Sequence, residues 1–167
     1  MPYRTAALIP AYNCAATIGP VVEGALRHVP RVLVVSDGSV DTTVGEALKA
    51  GAQVLALRHN HGKGRAVARG LGALLAAGGP DAVLFLDGDL QHDPARIPDF
   101  LALAGSYDLV TGVRDLDGGH VPAKNRRANR FFGRFFLKPW TGLDLPDYQC
   151  GYRLVSAGLL HRLPPIY

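Results

Sequence analysis

Apolar residues fall into five short runs over the first two thirds of the chain, at 5–9, 31–35, 53–57, 82–86 and 108–112. Runs of that length bounded by turn-forming residues predict strands. Between them the apolar positions recur at helical spacing, predicting helices near 17–28, 41–50, 63–77 and 95–104, with Asp41 and Asp93 as N-caps and Gly51 as a C-terminal stop. Strand and helix in alternation predict an α/β fold, a mostly parallel sheet with helices on both faces. Val83-Leu84-Phe85-Leu86 is apolar at every position, the pattern of a strand covered on both sides. From Asp115 onward the pattern is less regular. Asp117-Gly118-Gly119-His120 reads as a loop, and residues 123–138 read as a helix rich in Arg and Phe.

The length of 167 residues and a hydrophobic content of 48% predict one domain, 1–167, with a core of its own. Eighteen Lys and Arg against fourteen Asp and Glu give a formal charge of +4, which suits anionic partners without choosing among them. Cys14 and Cys150 are widely separated, so neither a zinc site nor a disulfide framework is indicated, and a cytoplasmic setting is the simpler reading. Residues 1–20 do not read as a signal peptide, and no window approaches 18 uninterrupted apolar residues. That reading leaves room only for peripheral membrane contact.

Chemistry is concentrated where the strands end. Asp87-Gly88-Asp89 follows the most apolar run, and in extended backbone side chains at i and i+2 point the same way, so both carboxylates address one ligand. At about 4 Å and an effective dielectric near 20 they would repel by roughly 4 kcal/mol, which a hard divalent cation relieves. A plain turn is the competing reading of such a triplet. Three other predicted strand ends are also polar or Gly-rich: Pro10-Ala11-Tyr12-Asn13, Ser36-Asp37-Gly38-Ser39 and His59-Asn60-His61-Gly62-Lys63-Gly64. In a parallel sheet all four lie along one edge, where ligands bind. A Gly-rich loop entering a helix presents N–H groups to phosphate, and Lys63 adds a mobile positive charge. Neither the P-loop spacing nor the dinucleotide fingerprint is present, since Val67 stands where the latter needs its third Gly.

Taken in order, Ile9-Pro10-Ala11-Tyr12-Asn13, Val35 to Thr43, Asn60-His61-Gly62-Lys63-Gly64, Asp87 to Pro94 and Asp147 to Leu154 resemble glycosyltransferase family 2, the inverting nucleotide-sugar transferases of GT-A fold. Within it the chain is most similar to the dolichyl- and polyprenyl-phosphate sugar synthases. The resemblance implies a Rossmann-like GT-A domain and an inverting transfer from a nucleoside-diphosphate sugar to a polyprenyl phosphate. It implies that Pro10, Tyr12, Val35 and Asp37 hold the base and ribose, with Lys63 and Gly88 also on the donor. It implies that Asp87 and Asp89, helped by Gln91, position Mg²⁺ or Mn²⁺ against the diphosphate. Arg114 would contact a phosphate, with a solvated surface Arg as the alternative, and Arg126 and Arg127 would meet the acceptor phosphate. Asp147 would be the base or acceptor-orienting carboxylate, with a turn residue after Pro146 as the competing reading.

A lipid monophosphate is already largely dianionic at neutral pH, so a phosphate acceptor relaxes the need for a base. Arg126, Arg130, Arg134 and Lys138 recur every four residues beside a cluster of Phe, as in a helix resting at the cytoplasmic face of a membrane; the same pattern suits Phe packing into a core. Ser36 replaces the first Asp of the family's Asp-Asp-Gly-Ser, and Cys14 stands where many members have Glu. The chain stops at Tyr167, soon after Gln149-Cys150-Gly151, which reads as truncation relative to the family. Two alternatives therefore stand beside the lipid-directed enzyme: a non-catalytic or incomplete nucleotide-sugar-binding domain, and a transferase with a saccharide or protein acceptor. Nucleic-acid binding ranks below these because it leaves the four converging loops unexplained.

Overall fold

The structure is a computed structural model and describes residues 3–76, 79–113, 147 and 150–162. Six strands, β1 (Thr5–Ala11), β2 (Arg31–Asp37), β3 (Gln53–Leu57), β4 (Ala82–Phe85), β5 (Leu109–Thr111) and β6 (Arg153–Ser156), form one sheet ordered β3-β2-β1-β4-β6-β5. Among the described residues the helices are α1 (Ile18–Leu26), α2 (Thr43–Lys49), α3 (Lys63–Ala76), α4 (Ile97–Leu101) and α5 (Ala157–Arg162). The larger compact unit is Met1–Val110 with Tyr152–Tyr167, and the smaller is Thr111–Gly151.

β1, β2, β3 and β4 pair in parallel, as the alternating pattern predicts, with Ala7 beside both Val32 and Leu84. β1 lies between β2 and β4, so Ala6, Ala7, Leu8 and Ile9 are covered on both faces and are at most 1% exposed. β1 and β2 each run two residues past their expected ends, carrying the chain to Ala11 and Asp37 before it turns. Helix α3 lies close against the sheet at Gly70, where a Cβ would collide with Leu8 and Val35. Only Gly allows that approach.

The helix punctuation holds with two adjustments. Asp93 caps a short 3₁₀ turn, Pro94–Arg96, by accepting from the Ala95 amide at 2.9 Å, and α4 follows it directly. Asp41 sits one residue before the geometric cap of α2, and still accepts from the Thr43 amide at 3.0 Å. Gly51, at φ +94°, ends α2 in the left-handed region as predicted.

β6 was not expected. It pairs antiparallel with β4, Phe85 beside Arg153 and Ala82 beside Ser156. Because β6 runs backwards, its beginning, preceded by Tyr152, lies at the edge where β4 ends. The predicted loop at 117–120 and helix at 123–138 lie outside the described residues. No described helix is long and apolar enough to cross a membrane.

Candidate functional site

The ends of β1, β2 and β4 and the loop before α3 enclose a cleft of about 390 Å³, lined among others by Pro10, Tyr12, Asp37, Lys63, Asp87 and Asp89. The four loops picked out by sequence therefore converge in space. Tyr12 is 48% exposed, its ring available at the rim, and Ala11 and Gly88 form part of the wall.

The β2 loop is fastened throughout. Asp37 is only 3% exposed, and its two oxygens accept from the His61 amide at 3.0 Å and the Gly62 amide at 2.7 Å. It thus pins the Gly-rich loop against the sheet, and each oxygen retains a second lone pair for a ligand. Gly38, at φ +72°, lets the chain turn directly against that loop, because a Cβ there would lie 2.5 Å from the Asn60 nitrogen. Ser36 donates to Ser39 at 2.9 Å, and Ser39 accepts from the Asn13 amide at 3.1 Å. Asn13, itself at φ +50°, accepts from the Val40 amide at 3.0 Å. The serine that departs from the family's first Asp is therefore part of a closed hydrogen-bond chain. Asp41 ties in the turn before α1 by accepting from the Ala15 amide at 3.1 Å, and bonding to the Thr43 hydroxyl and to the Thr43 and Ala15 amides holds its carboxyl below the usual range. Partial burial, reinforced by the carboxylates of Asp89, Asp41 and Asp87, pushes the Cys14 thiol up, so it is not a ready thiolate.

The β4 loop is built differently. Asp87 Oδ1 is paired with Lys63 Nζ at 2.6 Å, both side chains being partly exposed. Asp89 is exposed, and its Oδ1 accepts from the Gln91 amide at 3.0 Å. The second oxygen of each carboxylate carries no partner among the described residues. Leu90, between Asp89 and Gln91, is at φ +64° and 46% exposed, a conformation costing an ordinary residue about 1–2 kcal/mol. Loop position is fixed from behind: the Asp87 amide donates to His92 Nδ1 at 3.0 Å, and Thr17 Oγ1 donates to the Gly88 carbonyl at 2.6 Å. His92 stacks on Tyr152 at 5.0 Å between centroids, and the Tyr152 hydroxyl donates to the Asp93 carbonyl at 3.1 Å. Burial, with a smaller contribution from Asp93, pushes the Tyr152 hydroxyl well up, so it stays a donor.

Among the described residues no group of three His, Cys, Asp or Glu is placed to hold a metal. Asp87 and Asp89 nevertheless offer two hard oxygen donors on one loop. That set suits Mg²⁺ or Mn²⁺, which are commonly bound through one or two carboxylates with substrate phosphates and water filling the remaining positions.

Pro10, Tyr12, Asp37, Lys63, Asp87, Gly88 and Asp89 thus share one cleft. Val35 does not: two residues short of Asp37 on β2, it is fully buried with Leu8 where α3 packs on that face at Gly70. Gln91 contributes its amide to Asp89 and is not part of the cleft wall. Asp147 is 2% exposed and belongs to the smaller unit. Arg114, Arg126 and Arg127 lie outside the described residues. Thr17, Ser39, His92 and Tyr152 hold the site; Thr17 lies outside the motifs named from sequence, and the other three lie within them without an individual role. The available signal is His92, five residues beyond Asp87 within a motif otherwise read for its carboxylates.

Residues 6–163, nearly the whole chain, match the family described as Glycosyl transferase family 2. The chain belongs to glycosyltransferase family 2. Among its relatives in this family is an undecaprenyl-phosphate mannosyltransferase of Micrococcus luteus, 31% identical over 96% of this chain and 69% of that protein. A dodecaprenyl-phosphate galacturonate synthase of Rhizobium johnstonii is 29% identical over 93% of this chain and 48% of its own length. The fold also matches glucosyl-3-phosphoglycerate synthase from Mycobacterium tuberculosis in complex with Mn²⁺, uridine-diphosphate-glucose and phosphoglyceric acid, with a TM-score of 0.75 and 26% identity. That match covers 97% of this chain and 60% of the solved one. The GT-A fold is thereby that of this family 2 chain as well.

Proposed function

We infer that this chain carries the donor site of an inverting sugar transfer from a nucleoside-diphosphate sugar to a polyprenyl phosphate. The observation that carries the reading is the convergence of Tyr12, Asp37, Lys63, Asp87 and Asp89 on one cleft at the carboxyl edge of a parallel sheet. Tyr12 offers a ring for the base to stack on, Pro10 shapes the wall, and Asp37 has lone pairs left for a base N–H. Val35 supports this pocket from the core behind it rather than touching the donor.

Asp87 and Asp89 would hold Mg²⁺ or Mn²⁺, which when bound offsets the charge gathering on the departing nucleoside diphosphate. Lys63, paired with Asp87 in the protein alone, supplies a second positive charge to the same phosphates. A phosphate oxygen of the acceptor attacks the anomeric carbon, the bond from that carbon to the diphosphate oxygen breaks, and configuration inverts because attack and departure use opposite faces. The dianionic acceptor brings no proton to remove at neutral pH, so Asp147 serves to orient it more than to act as base. Arg114, Arg126 and Arg127 are assigned to donor and acceptor phosphates on the family resemblance. An acceptor of this kind places the protein at the cytoplasmic face of a membrane.

The names of the relatives favour the polyprenyl phosphate over a saccharide or protein acceptor. The deciding experiment incubates the protein with a panel of nucleotide sugars and Mn²⁺ against undecaprenyl phosphate and, separately, 3-phosphoglycerate, with products identified by mass. A glycosyl undecaprenyl phosphate is the expected product. Glycosylated phosphoglycerate alone would replace the lipid acceptor, and donor binding without any transfer would reduce the chain to a binding domain.

A further inference from the structure

A second cleft, of about 340 Å³, opens on the outer side of the sheet between β3 and α3, and it is lined by Leu55, Leu57, Arg58, His61, Arg65 and Arg69. Its electrostatics differ from those of most other arginine sites in the described structure. Arg4, Arg96 and Arg162 are each ion-paired, to Asp81, Asp99 and Asp108, and Arg31 donates to Gln53. Arg58, Arg65 and Arg69 make no ion pair or hydrogen bond with a described side chain, and no carboxylate lines the cleft. Three guanidinium groups gathered around one hollow repel one another unless an anion joins them.

Guarding an exposed sheet edge would account for Arg58, since β3 is the edge strand and charged residues there discourage further pairing. It does not account for Arg65 and Arg69. Those stand one turn apart on α3, on the same helix face, and are turned toward the same hollow as Arg58. The floor is apolar, with Leu55 and Leu57 half-buried beneath the exposed charges. An apolar floor with a guanidinium rim matches a ligand that has a phosphate at one end and an uncharged body beside it, because guanidinium groups bind phosphate oxygens in pairs.

We propose that the β3–α3 cleft is a phosphate-binding site separate from the donor cleft, taking a phosphate ester through Arg58, Arg65 and Arg69. The two clefts share a wall. His61 lines the outer one while its amide donates to Asp37 in the inner one, and Gly62 beside it lines the donor cleft. The ester is a soluble phosphomonoester or the headgroup of an anionic phospholipid; the chemistry recognised is the same. The inference does not depend on the sugar-transfer reading.

The test uses the full chain, with glycerol 1-phosphate as the soluble probe and phosphatidylcholine vesicles with or without phosphatidylglycerol as the lipid probe. Saturable NMR shifts of the Arg58, Arg65 and Arg69 Nε–H signals on adding glycerol 1-phosphate would establish the site with a soluble ligand. Sedimentation with phosphatidylglycerol vesicles alone, lost in the R58Q/R65Q/R69Q variant, would establish it with a lipid headgroup. With whichever probe binds, the triple variant should raise the dissociation constant about tenfold or more, since two or three charge-assisted contacts are removed. All three side chains are exposed, so the variant is expected to keep the thermal unfolding midpoint of the parent. Failure of both probes to move those signals or sediment the protein, or binding that survives the triple substitution, overturns the proposal.

Discussion

The loops after β2 and β4 both bring aspartates to one cleft, yet they are wired in opposite ways. Asp37 is buried, and each of its oxygens accepts from a backbone amide, so the carboxylate holds the Gly-rich loop in place and meets a ligand only with the lone pairs left over. Asp87 and Asp89 keep an oxygen each without a partner among the described residues, and what fixes them is attached to their backbone: His92 on the Asp87 amide and Thr17 on the Gly88 carbonyl. One loop uses carboxylates as anchors and the other keeps its carboxylates available on a strained, externally held turn. Residue type does not distinguish these roles; hydrogen-bond partners do. Breaking each loop should therefore damage a different property.

The largest effect is expected on the β4 side. Asp89→Asn removes a charge from an exposed side chain whose protein contact, acceptance from the Gln91 amide, an amide oxygen can still make. In the proposed reaction it should cut transfer by about a thousandfold, the scale of losing several kcal/mol of charge stabilisation at the leaving group. The melting temperature should stay within about 2 °C, because surface substitutions rarely change stability by more than about 0.5 kcal/mol. Product formation under a fixed Mn²⁺ concentration, beside a thermal melt, checks both halves. Full activity would remove Asp89 from the chemistry.

Asp37→Asn should do the reverse in emphasis. An amide has one accepting oxygen where the carboxylate has two, so either the His61 or the Gly62 amide loses its acceptor and faces an NH₂ group. The two bonds are only partly buried, and leaving such a donor unsatisfied costs about 1–3 kcal/mol. A 167-residue chain should then melt roughly 3–10 °C lower. Calorimetry reads this directly, and an unchanged melting temperature would mean that Asp37 is held for the ligand and not for the loop.

This contrast also explains what could be read from sequence. β1 to β4 were legible because each is an apolar run closed by turn residues, and the parallel order followed from the helices between them. The convergence of the four loops followed from topology. β6 was not legible: Arg153–Ser156 has only four residues, two of them polar, and gains its place by pairing with β4 from the opposite direction. Its neighbour Tyr152 was missed for the same reason, and with it the stack on His92. The family resemblance assigns Val35 to the donor together with Asp37, whereas Val35 lies two residues deeper in β2, where α3 covers it. Local pattern reveals which loops reach the edge, but not which long-range partner holds each loop still.

His92→Phe isolates that missing partner. Phe keeps an aromatic ring against Tyr152 and removes the nitrogen that accepts the Asp87 amide. The expected loss is about 1–2 kcal/mol of stability, the usual cost of an unpaired, partly buried N–H. Transfer should fall by roughly tenfold as the loop loosens, an effect carried by position and not by charge. A melt together with the dependence of the rate on Mn²⁺ concentration separates these, since a displaced loop needs more metal. An unaltered metal dependence would confine His92 to packing.

The smallest effect tests the anchoring loop by acid. Asp41 is fully hydrogen-bonded, foremost to the Thr43 hydroxyl and then to the Thr43 and Ala15 amides, which lowers its carboxyl below the ordinary value. A carboxyl lowered in the folded state stabilises the protein above its unfolded value near 3.9, and that contribution fades as pH falls through the lower folded value. Asp41→Asn cannot titrate. The urea midpoints of parent and variant should therefore differ by a constant amount from pH 7 down to about pH 5, then converge as the pH drops below about 4. The group is open to solvent, so the gap should be small, and it should survive added salt because hydrogen bonds to neutral donors are not screened as ion pairs are. A gap that stays constant through the acid range would mean that the Asp41 side chain holds the loop by shape alone, and the contrast between an anchored β2 loop and an available β4 loop would then rest on Asp37 by itself.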